Sequence, residues 1–468
     1  MQTFFSLAQL ADPEMQRMDA ILRKCVHCGF CTATCPTFVL LGDERDSPRG
    51  RIYLMKDMLE QDKPATAEIA LHIDRCLSCL SCMTTCPSGV NYMHLVDHGR
   101  AHVERTYRRP LGDRLLRSTL RYLMPRPRAF RASLILGKLA QPFARLLPRH
   151  GAGFFARLRA MLDSIPADLP SPSASARPRV YPAQGIRRKR VALLVGCGQT
   201  VLAPQVNDAT IRLLTRHGVE VVVAEGAGCC GSSVLHVGDR AQALDLARAN
   251  IAAWERTIAA HAGDGGLDAI VANTSGCGTT LKDYGFMLAD DPAYAERAQR
   301  IASLARDVSE VMVELGLAPV VQPTGQRVAY HAACSMQHGQ RVVEQPKALL
   351  RAAGFAVVDV PDGHLCCGWA GTYSVLQPEL SGALRERKAA TIESVKPELI
   401  AAGNFGCIGQ IGAATAIPIC HTVELLDWAT GGPRPPALGG PALGGPLQTQ
   451  ALPAKPRAPA DLSGQTAA

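Results

Sequence analysis

Apolar residues in the first hundred positions recur every third or fourth place, as in "RIYLMKDMLEQ" at 51–61, which lays them along one face of a helix. Ser47 stands where it can cap that helix, and Pro48 fits its first turn. Near residue 187 the pattern changes. From there to about 430, short apolar runs read as strands ("VALLV", "VEVVVA", "DAIVAN", "VAYHA", "FAVVDV") and alternate with helical stretches such as "DRAQALDLARANIAAWERTIAAH". This alternation predicts α/β layers around a mainly parallel sheet. Between the two zones, residues 101–186 are rich in arginine and end in "IPADLPSPSASARPRVYPAQG", whose Pro and Ser density reads as a linker. Beyond 430 the chain repeats Leu-Gly-Gly-Pro, a composition that predicts a disordered tail over 431–468.

At 468 residues the chain is long enough for several domains with cores of their own. The N-terminus lacks a basic residue before its short apolar run and meets Asp12 and Glu14 directly after it, unlike a signal peptide. No apolar run reaches the length of a membrane span, so the expected location is the cytoplasm. Seventeen cysteines in a reducing compartment, an odd number at regular short spacings, point to metal or redox chemistry and away from a disulfide framework.

Eight of these cysteines form two runs. "CVHCGFCTATCP" contains Cys25, Cys28, Cys31 and Cys35; "CLSCLSCMTTCP" contains Cys76, Cys79, Cys82 and Cys86. Both are C-x2-C-x2-C-x3-C-P, the spacing of two-cluster ferredoxins, in which the fourth cysteine of each run serves the other cluster. One [4Fe-4S] cluster is therefore expected on Cys25, Cys28, Cys31 and Cys86, and a second on Cys76, Cys79, Cys82 and Cys35. The 40 residues between Cys35 and Cys76 predict a helical ferredoxin module over 1–100.

The α/β zone is an internal repeat. Cys197 is followed after 31 residues by Cys229, Cys230 and Gly231, and Cys334 after 31 residues by Cys366, Cys367 and Gly368. Each set has a further cysteine behind a strand-like run, Cys277 and Cys407, which divides the zone into half-domains at 187–320 and 321–430. Neighbouring Cα atoms lie about 3.8 Å apart, short of the ~4.4 Å lower end for ordinary disulfides. Metal ligation suits the adjacent thiols better. Cys197 and Cys277 would emerge at the carboxyl edge of one sheet, where open α/β sheets bind ligands. Four thiolates in each half satisfy an iron-sulfur cluster or zinc equally. Cys420 has no counterpart in the first half and is expected to be buried; His331, His338 and His421 are expected to be hydrogen-bonded structural histidines.

The formal net charge of +9 owes much to Arg105, Arg108, Arg109, Arg114, Arg117, Arg121, Arg126, Arg128 and Arg131. Such a stretch suits an anionic membrane surface, an acidic partner or a plain solvated face. It lacks the interleaved aromatics of a nucleic-acid binder, so no nucleic-acid partner is expected. No G-x-G-x-x-G dinucleotide fingerprint is present, and no catalytic dyad or triad is evident.

These motifs in this order, with "SPRGRIYLMK", "NTSGCG", "YHAACSMQHGQ" and "HTVELLDWA", make residues 1 to about 430 resemble the cysteine-rich CCG-domain family shared by heterodisulfide reductases, anaerobic glycerol-3-phosphate dehydrogenase and glycolate oxidase. The chain is most similar to glycolate oxidase iron-sulfur subunits. The resemblance implies an α-helical two-cluster ferredoxin module followed by a tandem, Rossmann-like α/β pair of CCG domains. It also implies a membrane-associated glycolate dehydrogenase, peripheral on the cytoplasmic face of the inner membrane. Flavin-containing partner subunits would oxidise glycolate to glyoxylate, and this subunit, inactive alone, would carry electrons to an acceptor such as quinone. The same relay for glycerol 3-phosphate or lactate, or a heterodisulfide reductase-like thiol enzyme, are the alternatives. One departure stands out: the family's full pattern has a further cysteine three residues before the last, and here Thr274 and Asn404 occupy those places. A [4Fe-4S] cluster, a variant cluster, zinc and an empty site are therefore all open for the CCG sites.

Overall fold

The structure is a computed structural model and describes all residues except 149–152, 167, 323–324 and 441–468. Helices make up the first hundred residues. Ser47 caps the helix Pro48–Glu60 by accepting from Gly50 N at 3.0 Å, and Pro48 occupies its first position. Met18, Leu22, Met55, Met58, Ile73, Leu95 and Val96 form the core of this module, against which Phe286 of the first α/β half also packs.

Two sheets follow. The first holds β1 (Arg179–Tyr181), β2 (Lys189–Leu194), β3 (Val219–Val223), β4 (Ala269–Ala272) and β5 (Ala305–Asp307), in the order β1-β3-β2-β4-β5. The second holds β6 (Arg327–His331), β7 (Ala356–Asp359), β8 (Leu399–Ala402) and β9 (Ile419–His421), in the order β7-β6-β8-β9. All pairings are parallel except that of β1, which runs antiparallel to β3. Without β1 the two sheets have one topology, as expected of a duplicated unit. β1 comes from the segment read as a linker: Val180 and Tyr181 are buried, and three residues between prolines are too few to register as a strand pattern.

Alternate side chains of β2 face opposite layers. Ala192 and Leu194 pack with Trp254 of the helix Arg240–Ala260, while Val191 and Leu193 enter a core that also contains Val328, Tyr330 and Leu399 of the second sheet. The two halves thus share one core. Their helices cross over reciprocally: Pro204–Arg216 of the first half packs on Thr422–Ala429 of the second, and Val308–Leu315 of the first packs on Glu344–Ala352 of the second. Cys420 lies in this shared core, 1% exposed, as expected.

The helix Thr422–Ala429 opens with a reciprocal cap, in which Val423 N donates to His421 Nδ1 and His421 N donates to Glu424 Oε2 at 2.9 Å. Burial pushes the Glu424 carboxyl up to about 7. The folded chain therefore holds this proton more tightly than the unfolded chain, and the associated stability is lost as pH rises from the ordinary carboxyl range towards neutrality. Relative to Glu424→Gln, the wild-type thermal midpoint is expected to be lower at about pH 8 than at about pH 5. A pH-independent difference between the two melting curves would contradict this.

The arginine-rich segment forms helices Leu111–Leu123, Pro127–Ala140 and Phe154–Asp163. Part of its charge points inward. Arg109 and Arg117 are buried and bind Asp74 at 2.6 and 2.8 Å, while Arg157 donates to Asp113 at 2.7 Å. Arg105, Arg108, Arg114 and Arg128 are exposed and form no ion pair among the described residues. Of the tail, residues 431–440 are described and include the turn Pro436–Leu438; the remainder of the predicted disordered segment lies outside the described residues. Among the described residues no helix is long and apolar enough to cross a membrane.

Candidate metal centres

The first cysteine run wraps a short loop that carries Cys25, Cys28 and Cys31. Gly29 sits there at φ +86°, and a side chain at that position would strike Arg49. Cys86, from the end of the second run, lines the same cavity, of about 30 Å³, together with Ile52, Pro87 and Tyr92. Cys82 lines it as well. Around the second run, Cys35, Cys76 and Cys79 are near enough to Cys82 to raise its thiol electrostatically, although burial is the larger cause. Burial likewise pushes Cys31 up to about 11 and Cys79 well above its ordinary value.

Two residues around the second set were not singled out by sequence reasoning. Arg51, 1% exposed, places Nη1 3.8 Å from Cys35 Sγ while pairing with Asp46, and Tyr92 donates its hydroxyl to Cys76 Sγ at 3.7 Å. Arg51 lies inside "RIYLMKDMLEQ", where its place on the helix gives no sign that the charge is buried.

The CCG cysteines gather at the carboxyl edges of the two sheets. Cys197 follows β2, the Cys229–Cys230 pair follows β3, and Cys277 sits on the first turn of the helix after β4. Cys334, the Cys366–Cys367 pair and Cys407 follow β6, β7 and β8 in the same way. Cys197 and Cys229 sulfurs lie 3.4 Å apart, and Cys334 and Cys366 sulfurs 3.7 Å apart. Cys230 contacts both Cys229 and Cys277, and Cys367 contacts both Cys366 and Cys407. The glycine of each CCG is at φ +95° (Gly231) or +91° (Gly368); a Cβ there would meet the carbonyl oxygen of Ala243 at 3.0 Å or of Ser381 at 2.5 Å. Only glycine lets each thiol pair sit this close to the following helix.

The Cys229 contact, and then burial, push the Cys197 thiol up, whereas hydrogen bonds from Cys197 and Cys230 pull Cys229 down. A dry cluster of four thiols cannot ionise together without a cation. Iron or zinc would displace the protons and supply that positive charge, so the donor set fits a metal centre in each half.

Thr274 and Asn404, which replace the family's further cysteines, serve as hydrogen-bonding residues. Thr274 Oγ1 donates to Gln199 Oε1, and Asn404 Nδ2 donates to Ser275 Oγ at 2.8 Å. Asn404 Oδ1 also accepts from Gly406 N at 2.8 Å, capping the helix that bears Cys407. Ser275 and Ser335 hydroxyls, 2.7 Å apart, continue this seam between the halves.

The second ferredoxin loop abuts the second CCG set: Leu77 and Cys79 pack with Cys334, Cys366 and Tyr373. His338 bridges the same junction, with Nδ1 2.7 Å from Thr84 Oγ1 and Nε2 3.2 Å from His364 O. His338 is thus a hydrogen-bonded structural histidine, and His421 accepts from Val423 N through Nδ1. The Nε2 atoms of His331 and His421 are both buried without a hydrogen-bond partner among the described residues, and of the two only His331 has a ring nitrogen grouped with cysteine sulfurs.

Sequence comparisons agree with this architecture. Residues 21–90 match the 4Fe-4S dicluster domain, and residues 191–282 and 328–412 each match the cysteine-rich domain. The glycolate oxidase iron-sulfur subunit of Escherichia coli strain K12 is 42% identical over 92% of this chain and 99% of its own length. The chain belongs to the glycolate oxidase iron-sulfur subunit family. A probable glycolate oxidase iron-sulfur subunit of Bacillus subtilis strain 168 is 31% identical with the same coverage. Lactate utilization protein A of Bacillus velezensis is 28% identical over 51% of this chain and 99% of its own length. Membership of this family, with its dicluster and duplicated cysteine-rich domains, makes the chain an iron-sulfur protein of an oxidoreductase.

Proposed function

We propose that the chain is the electron-relay subunit of a glycolate dehydrogenase: flavin-containing partners oxidise glycolate to glyoxylate, and this chain conveys the electrons to a quinone of the inner membrane. Cys25, Cys28, Cys31 and Cys86 hold one [4Fe-4S] cluster; Cys76, Cys79, Cys82 and Cys35 hold a second. The sets Cys197, Cys229, Cys230, Cys277 and Cys334, Cys366, Cys367, Cys407 hold further iron-sulfur or zinc centres. When bound, iron-sulfur clusters supply one-electron carriers. The protein supplies their spacing, their burial and the Arg51 charge beside the second set.

One observation carries this reading: Cys79 of the ferredoxin module packs against Cys334 and Cys366 of the second half, so the second ferredoxin set and the second CCG set adjoin. The anchor is the arginine-rich arm. Residues 114–162 contain eleven Arg or Lys and no Asp or Glu, and Leu136, Leu139, Phe143 and Leu146 of this arm are at least 66% exposed. An apolar face within an acid-free basic segment suits the surface of an anionic bilayer on its cytoplasmic side.

The test is anaerobic reconstitution with iron quantitation, followed by dye reduction by the assembled complex with glycolate, lactate or glycerol 3-phosphate as donor. Fewer than about four irons per chain would sink the relay, and a preference for another donor would sink the glycolate assignment. Sedimentation with phosphatidylglycerol vesicles, abolished by high salt and absent with phosphatidylcholine, is expected of the arm.

A further inference from the structure

Beside the first CCG set lies an open cleft with a volume of about 210 Å³. Cys197, Cys229, Cys230 and Cys277 lie at its base. None of its lining residues is Arg, Lys, Asp or Glu. Among the described lining residues an anionic ligand thus finds no guanidinium or ammonium partner, which favours a neutral occupant. The far wall comes from the second half: Trp369 and Phe405 stand edge to face, ring centroids 6.4 Å apart, and Phe405 packs so closely on Gly198 that a Cβ there would meet its ring at 2.9 Å. The near wall is the basic arm. Phe130 and Leu134 of the helix Pro127–Ala140 line the cleft, while Ile135, Leu136 and Leu139 of the same helix are exposed.

We propose that this cleft is the acceptor site and that its occupant is a lipid-soluble quinone drawn from the membrane on which the arm lies. This rests on the relay reading above. A flat neutral ring matches the uncharged aromatic lining, and the helix with one face on the cleft and the other exposed gives a lipid-soluble molecule its way in. The chemistry balances. Oxidising a 2-hydroxy acid to the 2-oxo acid releases two electrons and two protons; the quinone takes two electrons through the chain and two protons to become the hydroquinone. His236, its Nε2 3.2 Å from Ser232 Oγ, lines the cleft and provides a polar route for those protons.

The test titrates the metal-loaded full chain with decylubiquinone and follows quenching of tryptophan fluorescence, with iron measured on the same sample. Leu134→Glu, which puts a carboxylate in the cleft, is expected to weaken binding at least tenfold while the electron paramagnetic resonance of the reduced chain persists. Should that variant misfold, an azido-quinone photolabel on the wild-type chain is expected to mark peptides containing Phe130 or Trp369. Iron-replete chain that fails to bind decylubiquinone, or label confined to other peptides, would overturn the cleft and leave the relay standing. Iron-free chain after reconstitution would overturn the relay, and the acceptor site with it.

A second inference rests on a different observation. His331, 2% exposed, has an unpartnered Nε2, and its ring offers a nitrogen within 4.8 Å of both the Cys367 and Cys407 sulfurs. The 137-residue offset that relates Cys334 to Cys197 relates His331 to Leu194, so the first half has no equivalent. We infer that His331 is a metal ligand and that the second constellation is a mixed imidazole-thiolate centre, whereas the first is thiolate only. His331 then restores a fifth donor where Asn404 stands for the family's further cysteine. This too depends on the CCG sets holding metal.

Selective 15N labelling of histidine, with pulsed electron paramagnetic resonance for iron or X-ray absorption for zinc, tests the ligand directly. A histidine-nitrogen signal is expected in the wild type and its loss in His331→Leu, the residue of the first half. A filled second site with a sulfur-only shell would overturn the ligand alone. Metal content no greater than the two ferredoxin sets require would overturn the metal reading of the CCG sets as well.

Discussion

Cys86→Ser is expected to abolish the resonance of the cluster on Cys25, Cys28 and Cys31 and to spare that of the cluster on Cys76, Cys79 and Cys82. Cys35→Ser is expected to do the reverse. Each variant should lose about half of the roughly eight irons of the ferredoxin module. Behind this lies the proposed exchange of fourth ligands. Cys86 lines the cavity of the first loop, whereas Cys35 lies near enough to Cys82 to act on its thiol, with Arg51 beside it. An uncrossed arrangement would pair each run with its own cluster and interchange the two outcomes. The experiment reads iron content and spectra on anaerobically purified chain. The module should remain folded in both variants, because serine keeps a hydrogen-bonding group at each position and the Met55 and Ile73 core and the buried Arg51–Asp46 pair at 3.2 Å remain. A spectrum in which Cys86→Ser spared the first cluster would refute the crossed assignment.

Much of this arrangement is legible in the chain because cysteine spacing is a local property. The x2 gaps, the capped helix at Ser47 and the 137-residue recurrence each survive without knowledge of the fold, and the five quoted apolar runs coincide with β2, β3, β4, β6 and β7. What could not be read depends on contacts between distant residues. Three-residue strands such as β5 and β9 carry too few side chains to show a period. Arg109 and Arg117 look like the exposed arginines around them, since composition does not say which face of a helix meets Asp74. Apolar helix faces look the same whether they cover their own sheet or another, so the core shared by the two halves appears only in the structure. The expectation for His331 was a satisfied structural histidine; its orphaned nitrogen becomes visible only when β6 and β8 set it beside Cys367 and Cys407.

Asp427→Ala should be the most damaging substitution outside the cysteines. Asp427 is 1% exposed and receives Arg212 at 2.7 Å and Arg216 at 2.9 Å, both from the helix Pro204–Arg216 of the other half. Burial raises its carboxyl in spite of the two guanidinium groups, so desolvation outweighs their attraction and the pair adds little net energy. Its removal is another matter. Two arginines would then lie at an apolar interface without their counter-charge, at a cost of about 3–5 kcal/mol. For the two halves as one unit with a shared core, that corresponds to a fall of roughly 6–20 °C in the thermal midpoint. Replacing the whole cluster by apolar residues, Asp427→Leu with Arg212→Met and Arg216→Leu, is expected to recover most of the loss. A single alanine variant that melts with the wild type would show that the pair is hydrated in solution. Full rescue by the triple variant, with altered resonance of the CCG centres, would show that the ion pair sets the register of the halves. Ser275, Ser335 and Asn404 meet across the same boundary, so a slip there moves Cys277 and Cys407 relative to their partner thiols.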